Sequence, residues 1–397
     1  MGVHRLPRVL LALCCACAAA DGEADPSERP SIDETPETDE VLEIPLNGCI
    51  YYRTASFTIG AQTFAMLVDS GSATLAVAAE GCSTCSDAGV SVLYDSSQGT
   101  SLGTEVATSY DSGNMGWSGT AYEDVVGIEG FPSTRMRFVA VAEQDSIFGD
   151  RRCDDTEHVP VDGIVGLAPD ELLHPDTDSF LTTFVDAMGL SDEFAVQTCH
   201  SGGTLWLGGY NLEATLGEMA YVPLNEDEDE FYTIEVRSFT VENSSGEGTT
   251  VSRTVGPATW TALLDTGGPN LILPEAAYDS VVAAISEDPD LSVFGGAWWD
   301  RGYVDAEVPP EEIDASLPWV TVELENEVTL RLPPTESYVS WWANGSGTWT
   351  YWTSLVNGGE IGWGNYVDLG NLPMTSYVVS TDRAVGRVGF APAASCP

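Results

Sequence analysis

The chain has 397 residues and combines 62 acidic residues with 14 arginines and no lysine, which gives a formal net charge of −48 at pH 7. A negative charge of this size repels phosphate groups, so nucleic acids and a bare anionic membrane surface are excluded as partners. Charged residues make up only 19% of the chain and apolar residues 43%, so a sizeable core can form. The length suits two or three domains, or one large duplicated unit.

Residues 1–20 are typical of a secretory signal, because arginines precede the apolar run 9–13 and a small-residue stretch follows it. The run is too short to span a bilayer. Its cysteines Cys14, Cys15 and Cys17 also fit a bacterial lipoprotein signal, in which a cysteine carries the lipid. We therefore expect an exported protein, either freely secreted or tethered through an N-terminal lipid that would be its only membrane contact.

Residues 21–45 contain ten acids, four prolines and no aromatic residue. Such a segment buries too little apolar surface to offset the entropy lost on ordering. It is predicted to be a solvated acidic linker.

Six cysteines follow the signal segment, and an even number in an exported chain favours disulfides. Six cysteines allow 15 connectivities, and their spacing alone does not choose among them. A zinc site at Cys82 and Cys85 would need a second pair of ligands, which the sequence lacks, so we predict no metal and no cofactor. The six are Cys49, Cys82, Cys85, Cys153, Cys199 and Cys396.

From residue 46 onward, short alternating or apolar runs are broken every few residues by turn formers, which predicts an all-β architecture. Only two segments read as helices: residues 179–188, which end before Gly189, and residues 274–285, which open with a proline. The predicted strands include residues 56–59, 64–68, 136–141, 204–207, 231–236 and 320–324.

An internal repeat is the most informative feature of this β region. In one copy an apolar run enters Asp69-Ser70-Gly71-Ser72, and in the other a similar run enters Asp265-Thr266-Gly267-Gly268. Each copy is followed about a hundred residues later by an apolar segment that ends in glycine, at Gly166 and at Gly370. Two diverged copies of one β domain are therefore predicted.

The two aspartates would lie at equivalent positions, each at the end of a buried strand and in a glycine turn. If the copies pack about a pseudo-twofold axis, Asp69 and Asp265 face each other across a cleft, and the Ser70 and Thr266 hydroxyls brace the two loops. Two carboxyl groups this close share one proton and titrate as a pair. The ionised member can then activate a water molecule, and the protonated member can polarise a carbonyl group. The competing interpretation is two turn-forming aspartates without catalytic roles.

These motifs resemble those of the pepsin-like aspartic proteases, and the similarity runs from about residue 46 to residue 397. The segment 108–113 is similar to the flap hairpin of the family, 162–168 to the segment behind the first aspartate, 207–209 to the end of the first lobe and 382–392 to the closing strand. The resemblance implies a bilobal acid-protease fold with two β-barrel-like lobes, residues 46–222 and 223–397, around an inter-lobe cleft. The lipoprotein-like signal would suit a bacterial member of the family.

What the resemblance implies for function is an exported, monomeric endopeptidase with an acidic optimum that acts on polypeptides. Its catalytic residues would be Asp69 and Asp265. The residues that support the pair would be Ser70, Gly71, Ser72, Thr266 and Gly267, and those that bind substrate would be Tyr110, Gly113 and Gly268. The family fold also favours disulfides between Cys49 and Cys396 and between Cys82 and Cys85.

Three departures from the family pattern lie close to the expected site. Gly268 stands where a hydroxyl residue is usual, Ala76 replaces the tryptophan that partners the flap tyrosine, and Asn371 replaces an aspartate. These changes motivate a second hypothesis, a peptide-binding or protein-binding protein that has lost catalysis. A third hypothesis, carbohydrate hydrolysis aided by the tryptophans of the second half, requires the two carboxyl groups to lie well apart.

Overall fold

Short strands dominate the chain, so the predicted all-β, bilobal architecture is confirmed. The computed structural model describes residues 41–110, 115–153, 157–225, 230–242, 248–252, 259–295, 298–300, 303–344 and 347–396. The predicted signal segment, and the predicted linker as far as residue 40, lie outside these ranges.

The first lobe is built from thirteen strands and two helices. Its strands are β1 (Leu42–Cys49), β2 (Tyr52–Ile59), β3 (Gln62–Asp69), β4 (Ala76–Ala78), β5 (Thr100–Tyr110), β6 (Met115–Ile128), β7 (Ser133–Asp145), β8 (Gly149–Arg152), β9 (His158–Val161), β10 (Gly163–Gly166), β11 (Glu193–Thr198), β12 (Ser201–Leu207) and β13 (Ala220–Pro223). Its helices are α1 (Ser83–Asp87) and α2 (Phe180–Met188).

The second lobe and the chain end contribute the remaining elements. The strands are β14 (Thr233–Glu242), β15 (Gly248–Ser252), β16 (Trp260–Leu264), β17 (Leu271–Leu273), β18 (Val304–Ala306), β19 (Trp319–Leu324), β20 (Thr329–Leu332), β21 (Val339–Asn344), β22 (Thr348–Thr353), β23 (Leu355–Asn357), β24 (Val367–Leu369), β25 (Tyr377–Asp382) and β26 (Arg387–Pro392). The helices are α3 (Glu275–Ser286), α4 (Pro310–Ser316), α5 (Gly358–Ile361) and α6 (Asn371–Met374). Short 3-10 turns span Asp170–Leu172, Leu212–Ala214, Pro289–Phe294, Trp298–Asp300, Glu325–Glu327 and Pro334–Glu336.

Both predicted helices form where the sequence places them. The Ser179 hydroxyl accepts a hydrogen bond from the Thr182 amide at the start of α2, and Gly189 ends that helix in a left-handed conformation. Helix α3 begins directly after Pro274 and buries Val281 among other apolar residues. Helix α2 therefore begins and ends at residues that favour such boundaries, and α3 begins at one.

Two large sheets carry most of the strands. The larger has thirteen strands in the order β13-β26-β25-β11-β12-β1-β2-β3-β10-β4-β7-β6-β5. The smaller follows the order β20-β19-β14-β16-β24-β17-β23, with β15 added beside β14. Strands β25 and β26 come from the chain end but join the sheet of the first lobe through β11. The lobe boundary predicted between residues 222 and 223 falls inside β13, which pairs with β26.

The sequence repeat corresponds to one arrangement that occurs in both lobes. In the first lobe β10 lies parallel to β3 and antiparallel to β4, so that Gly166 is opposite Asp69. In the second lobe β24 lies parallel to β16 and antiparallel to β17. A Cβ on Gly370 would lie 2.6 Å from the Gly268 carbonyl oxygen, so a larger residue would displace the aspartate loop that passes it.

Strand β1 corrects the predicted end of the acidic linker. Its first residues fall within the linker range 21–45, yet Leu42 and Ile44 are buried and alternate with exposed neighbours. The strand pairs with β12, and Glu43 accepts a hydrogen bond from the indole of Trp206. A composition averaged over 25 residues hid this two-residue alternation, which is the period of a half-buried strand.

Three disulfides connect the six cysteines. The predicted Cys82–Cys85 pair is confirmed, but the predicted pair of Cys49 with Cys396 is wrong. Cys49 ends β1 beside the β8–β9 hairpin and bonds Cys153, whereas Cys396 follows β26 and bonds Cys199 at the end of β11. The chain end thus returns to β11, which is its neighbour through β25, and not to β1.

Two partly buried acids of the second lobe accept hydrogen bonds from hydroxyl groups. The Thr335 hydroxyl and amide donate to Asp314 at 2.6 and 2.9 Å, and the Ser376 hydroxyl donates to Glu336. Burial raises the pKa of Asp314, and burial raises the pKa of Glu336 to about 7. Folding therefore makes both carboxyl groups harder to ionise.

The tryptophans of the second half do not form one surface. Trp260 and Trp298 are buried in the core, whereas Trp342 and Trp352 are partly exposed and contact each other beside Tyr303. Within the described ranges, no helix is both long enough and apolar enough to cross a membrane.

Candidate active site

Two equivalent loops bring Asp69 and Asp265 together between the lobes. Their carboxyl groups border one space: a Cβ built on Gly267 would meet Asp69 Oδ1 and would lie 3.1 Å from Asp265 Oδ1. The glycine of each loop faces the carboxyl group of the other: a Cβ on Gly71 would lie 2.7 Å from Asp265 Oδ1, and one on Gly267 would collide with Asp69 Oδ1. Both positions therefore need glycine for the two carboxyl groups to meet.

Four hydrogen bonds between the hydroxyl residues and the facing backbone hold the loops in register. The Ser70 amide donates to Thr266 Oγ1 at 2.9 Å, and the Thr266 amide donates to Ser70 Oγ at 2.9 Å. The same hydroxyls donate onward, Ser70 to the Leu264 carbonyl at 2.8 Å and Thr266 to the Val68 carbonyl at 3.0 Å. Each hydroxyl is buried and satisfied, so the spacing of the pair is set by the loops themselves.

Thr266→Val tests the contribution of the two hydrogen bonds that the Thr266 hydroxyl makes to the first loop. The variant should lower the free energy of unfolding by about 2 kcal/mol, because it leaves the buried Ser70 amide and Val68 carbonyl without partners. Thr266→Ser keeps the hydroxyl and is the matched control, which should lose well under half as much. Chemical denaturation of both variants measures the difference, and equal stabilities of Val and Ser variants would contradict the assigned role.

The surroundings of the two carboxyl groups differ. Burial raises the pKa of Asp69, but the Ser72 hydroxyl donates to its Oδ2 at 2.5 Å and the Gly71 amide to its Oδ1 at 2.8 Å, which partly offsets the rise. Burial and the charge of Asp69 raise the pKa of Asp265 well above its usual range. Two adjacent buried carboxyl groups do not both ionise readily, which favours one proton held by the pair in acid.

The departure at Gly268 explains part of this asymmetry. Asp265 accepts hydrogen bonds from the Gly267 amide at 2.7 Å and from the Gly268 amide. No side chain at position 268 offers a hydroxyl, whereas Ser72 does so at the equivalent place in the first loop. Asp69 therefore has a hydroxyl donor that Asp265 lacks, and such a donor favours the ionised form of a carboxyl group.

Asn371 is a structural support for the second loop. Its side-chain amide is buried and donates to the Thr266 carbonyl at 2.8 Å and to the Ile50 carbonyl at 3.2 Å. Its backbone amide donates to the Gly268 carbonyl at 2.7 Å. An asparagine makes both side-chain donations without carrying a charge, which suits a site that already holds two acids.

Tyr110 lies over the first aspartate loop, at the end of β5. Its hydroxyl lies near Ser72 and accepts a hydrogen bond from the Trp117 indole at 3.2 Å. Burial and the nearby charge of Asp69 raise its pKa, so the phenol stays protonated. Ala76 occupies the position of the family's tryptophan, and here Trp117, on the neighbouring strand β6, supplies the indole that donates to the flap tyrosine. Gly113, the other flap residue predicted to bind substrate, lies outside the described residues.

A histidine also joins this hairpin to the aspartate loop, and sequence reasoning missed it. The His174 ring lies 5.8 Å from the Trp117 ring between centroids, and its Nδ1 is 2.8 Å from the Thr74 hydroxyl. Burial lowers the His174 pKa. Thr74 follows Asp69 by five residues. The contacts of His174 with Thr74 and with Trp117 therefore fix the position of Trp117 relative to the aspartate loop.

Among the described residues, no group of three or more His, Cys, Asp or Glu side chains is placed to hold a metal ion. Sequence reasoning also overlooked Asp368, a buried acid of β24 near Gly268.

Comparison with known proteins identifies relatives over most of the chain. Residues 51–393 match the family model described as eukaryotic aspartyl protease. The chain is 26% identical over 251 residues to "Aspartic protease" of Phaffia rhodozyma, covering 63% of this chain and 57% of that protein. It is 24% identical over 264 residues to "Major aspartyl peptidase 1" of Cryptococcus neoformans var. grubii, covering 62% and 51%.

A mammalian relative is also similar. The chain is 27% identical over 266 residues to "Pepsin A" of Sus scrofa, covering 64% of this chain and 62% of that protein. The matched regions thus span between about half and three fifths of the length of these curated relatives.

Proposed function

The chain belongs to the eukaryotic aspartyl protease family, and on this premise we propose that it hydrolyses peptide bonds with a water molecule activated between Asp69 and Asp265. The observation that carries the proposal is that these two carboxyl groups, on equivalent loops, border one space. Carboxyl groups that share a proton do not suit glycoside hydrolysis, which separates them by about 5 Å or more.

The asymmetry of the pair assigns a role to each member. Ionised Asp69 takes a proton from the water, whose oxygen adds to the carbonyl carbon of the substrate. Protonated Asp265 donates its proton to the carbonyl oxygen, which gives a neutral tetrahedral adduct. Collapse of the adduct breaks the C–N bond as the proton held by Asp69 passes to the leaving nitrogen. One hydroxyl of the adduct returns its proton to Asp265, which restores the starting state of the pair. The reaction balances with water as the only co-reactant, so no metal or cofactor is needed.

The flap provides the binding surface on the side of the first lobe. Tyr110 closes over the pair, and an extended polypeptide would lie between the β5–β6 hairpin and the second loop at Gly268. The absence of a side chain at Gly268 leaves room for substrate beside Asp265. Gly113 completes this proposed binding set.

Trp117→Phe tests whether the hydrogen bond from the Trp117 indole positions Tyr110. The variant should lower kcat/KM about tenfold, because Tyr110 loses a donor of a buried hydrogen bond while the aromatic packing remains. The matched control is Trp206→Phe, which removes an equally buried indole donor from Glu43, on the sheet formed by β1 and β12. If both variants retain wild-type kcat/KM, Trp117 does not position the flap tyrosine.

We also propose that the enzyme is exported, monomeric and active in acid. The predicted signal at residues 1–20 and three disulfides support an oxidising compartment outside the cytoplasm, and a lipid tether through its cysteines is the alternative to free secretion. The acidic optimum follows from the shared proton, which is lost as the pH rises.

Digestion of an unfolded protein across the pH range, with and without pepstatin, tests the proposal. We expect cleavage in acid that pepstatin abolishes. The contrasting candidate is a peptide-binding protein without turnover, which the missing hydroxyl at Gly268 favours. Binding of peptides without cleavage at any pH would replace the enzyme hypothesis with that one.

A further inference from the structure

A third carboxyl group, Asp368, lies next to the catalytic pair. It occupies the middle of β24, between Val367 and Leu369, which both point into the core of the second lobe. Successive side chains of a strand alternate between faces, so Asp368 points to the opposite face. There it lies beside Leu263 of β16 and Ile272 of β17, which are buried but lie outside that core.

Asp265 and Asp368 lie on either side of a space next to Gly268, which has no side chain to fill it. A Cβ on Gly268 would lie 3.1 Å from Asp265 Oδ2 and 3.8 Å from Asp368 Oδ2. The two carboxyl oxygens therefore flank one space of side-chain size. In the first loop the equivalent position is filled by Ser72, which donates to Asp69.

Asp368 is buried without a compensating partner. Only 3% of its surface is exposed, and its Oδ1 has no hydrogen-bond donor. The charged groups that act on it are Asp265 and Asp69, and both are acids. Strands β16, β17 and β24 carry no other ionisable side chain. A buried acid in these surroundings stays protonated in acid, and burial with the charges of the pair raises its pKa well above the usual range.

We propose that Asp368 is a positioning residue of the active site that takes the place of the missing hydroxyl at Gly268 and widens the pH range over which the pair keeps one proton. The inference rests on the proposed function. In acid, neutral Asp368 offers an O–H donor to the space beside Asp265, which favours the singly ionised pair. At higher pH, ionised Asp368 repels a second charge on the pair, so the shared proton is lost later.

The pH dependence of kcat/KM in two variants separates these effects. Asp368→Asn keeps an N–H donor but removes the charge, so the alkaline limb of the pH profile should move down by about 1.7 pH units while the acid limb stays. This is the size expected for two charges about 7 Å apart at an effective dielectric constant of about 20. Asp368→Leu also removes the donor, so the acid limb should move up as well. Gly268→Ser in the Leu background should restore the acid limb.

Glu336→Gln is the matched control, because it neutralises a buried acid of the same lobe whose charged neighbour is Asp314 and not the pair. Glu336→Gln should leave the acid limb and the alkaline limb of the kcat/KM profile unchanged. If the alkaline limb of both Asp368 variants coincides with that of the wild type, the proposal is wrong.

A second measurement does not depend on turnover, so it separates this inference from the proposed function. The free energy of unfolding is measured for Asp368→Asn, Asp265→Asn and the double variant between pH 3 and pH 7. Coupling of about fifty-fold in the unfolding constant should appear near neutral pH and vanish at pH 3. Additive effects at every pH would overturn the proposal even if the wild type cleaves peptides, whereas coupling without cleavage would leave only the proposed function in error.

Discussion

Asp69→Asn should reduce kcat/KM by about 10⁴-fold, which is about 5 kcal/mol of transition-state stabilisation. The amide cannot take the proton of the attacking water, although it can still accept the hydrogen bond from Ser72 that shapes the loop. Asp265→Asn should cause a comparable loss, because it removes the proton that polarises the carbonyl. The two losses should not add in the double variant, since the residues act as a unit.

Steady-state kinetics on one peptide, with thermal unfolding to confirm folding, measure these effects. Asp279→Asn on the exposed surface of α3 is the matched control and should retain wild-type kcat/KM. Activity that survives Asp69→Asn in a folded variant would exclude the proposed mechanism.

Glu336→Gln should flatten the pH dependence of stability. In the wild type the pKa of Glu336 is about 7 when folded, compared with 4.5 as the ordinary value of the group. A carboxyl group whose pKa is raised by folding stabilises the folded state below its unfolded pKa, and that contribution is lost as the pH rises through the folded value. Between pH 4.5 and 7 the wild type should therefore lose about 3 kcal/mol more than the variant.

Denaturant unfolding of both proteins at several pH values checks this expectation. Glu287→Gln, an exposed acid at the end of α3, is the control and should follow the wild-type curve. If Glu336→Gln runs parallel to the wild type from pH 4.5 to 7, the buried carboxyl group of Glu336 does not contribute to acid stability.

The sequence predicts best what is encoded locally. An apolar run entering Asp-hydroxyl-Gly is contained in a few residues, so the repeat correctly anticipates that both aspartates end buried strands or follow them directly. The same holds for α2, whose first turn and last residue are marked by Ser179 and Gly189.

Features that depend on pairing between distant strands were not predictable in this way. The indole of Trp117 reaches Tyr110 because the register of the hairpin places Thr108 opposite Trp117. Asp368 reads as part of an apolar run, and only the parallel register with β16 brings it to the face of the pair. The partners of Cys49 and Cys396 likewise depend on which strands are neighbours, which spacing along the chain does not encode.

The sheet that accepts both ends of the chain constrains the order of folding during synthesis. Strand β11 is paired with β12 on one side and with β25 on the other, but β25 and β26 leave the ribosome long after β11. The first lobe therefore emerges with an open edge strand, which is exposed to wrong pairing until β25 has been made. The bond between Cys199 and Cys396 can form only after β26 has emerged, and it then holds this part of the sheet together covalently.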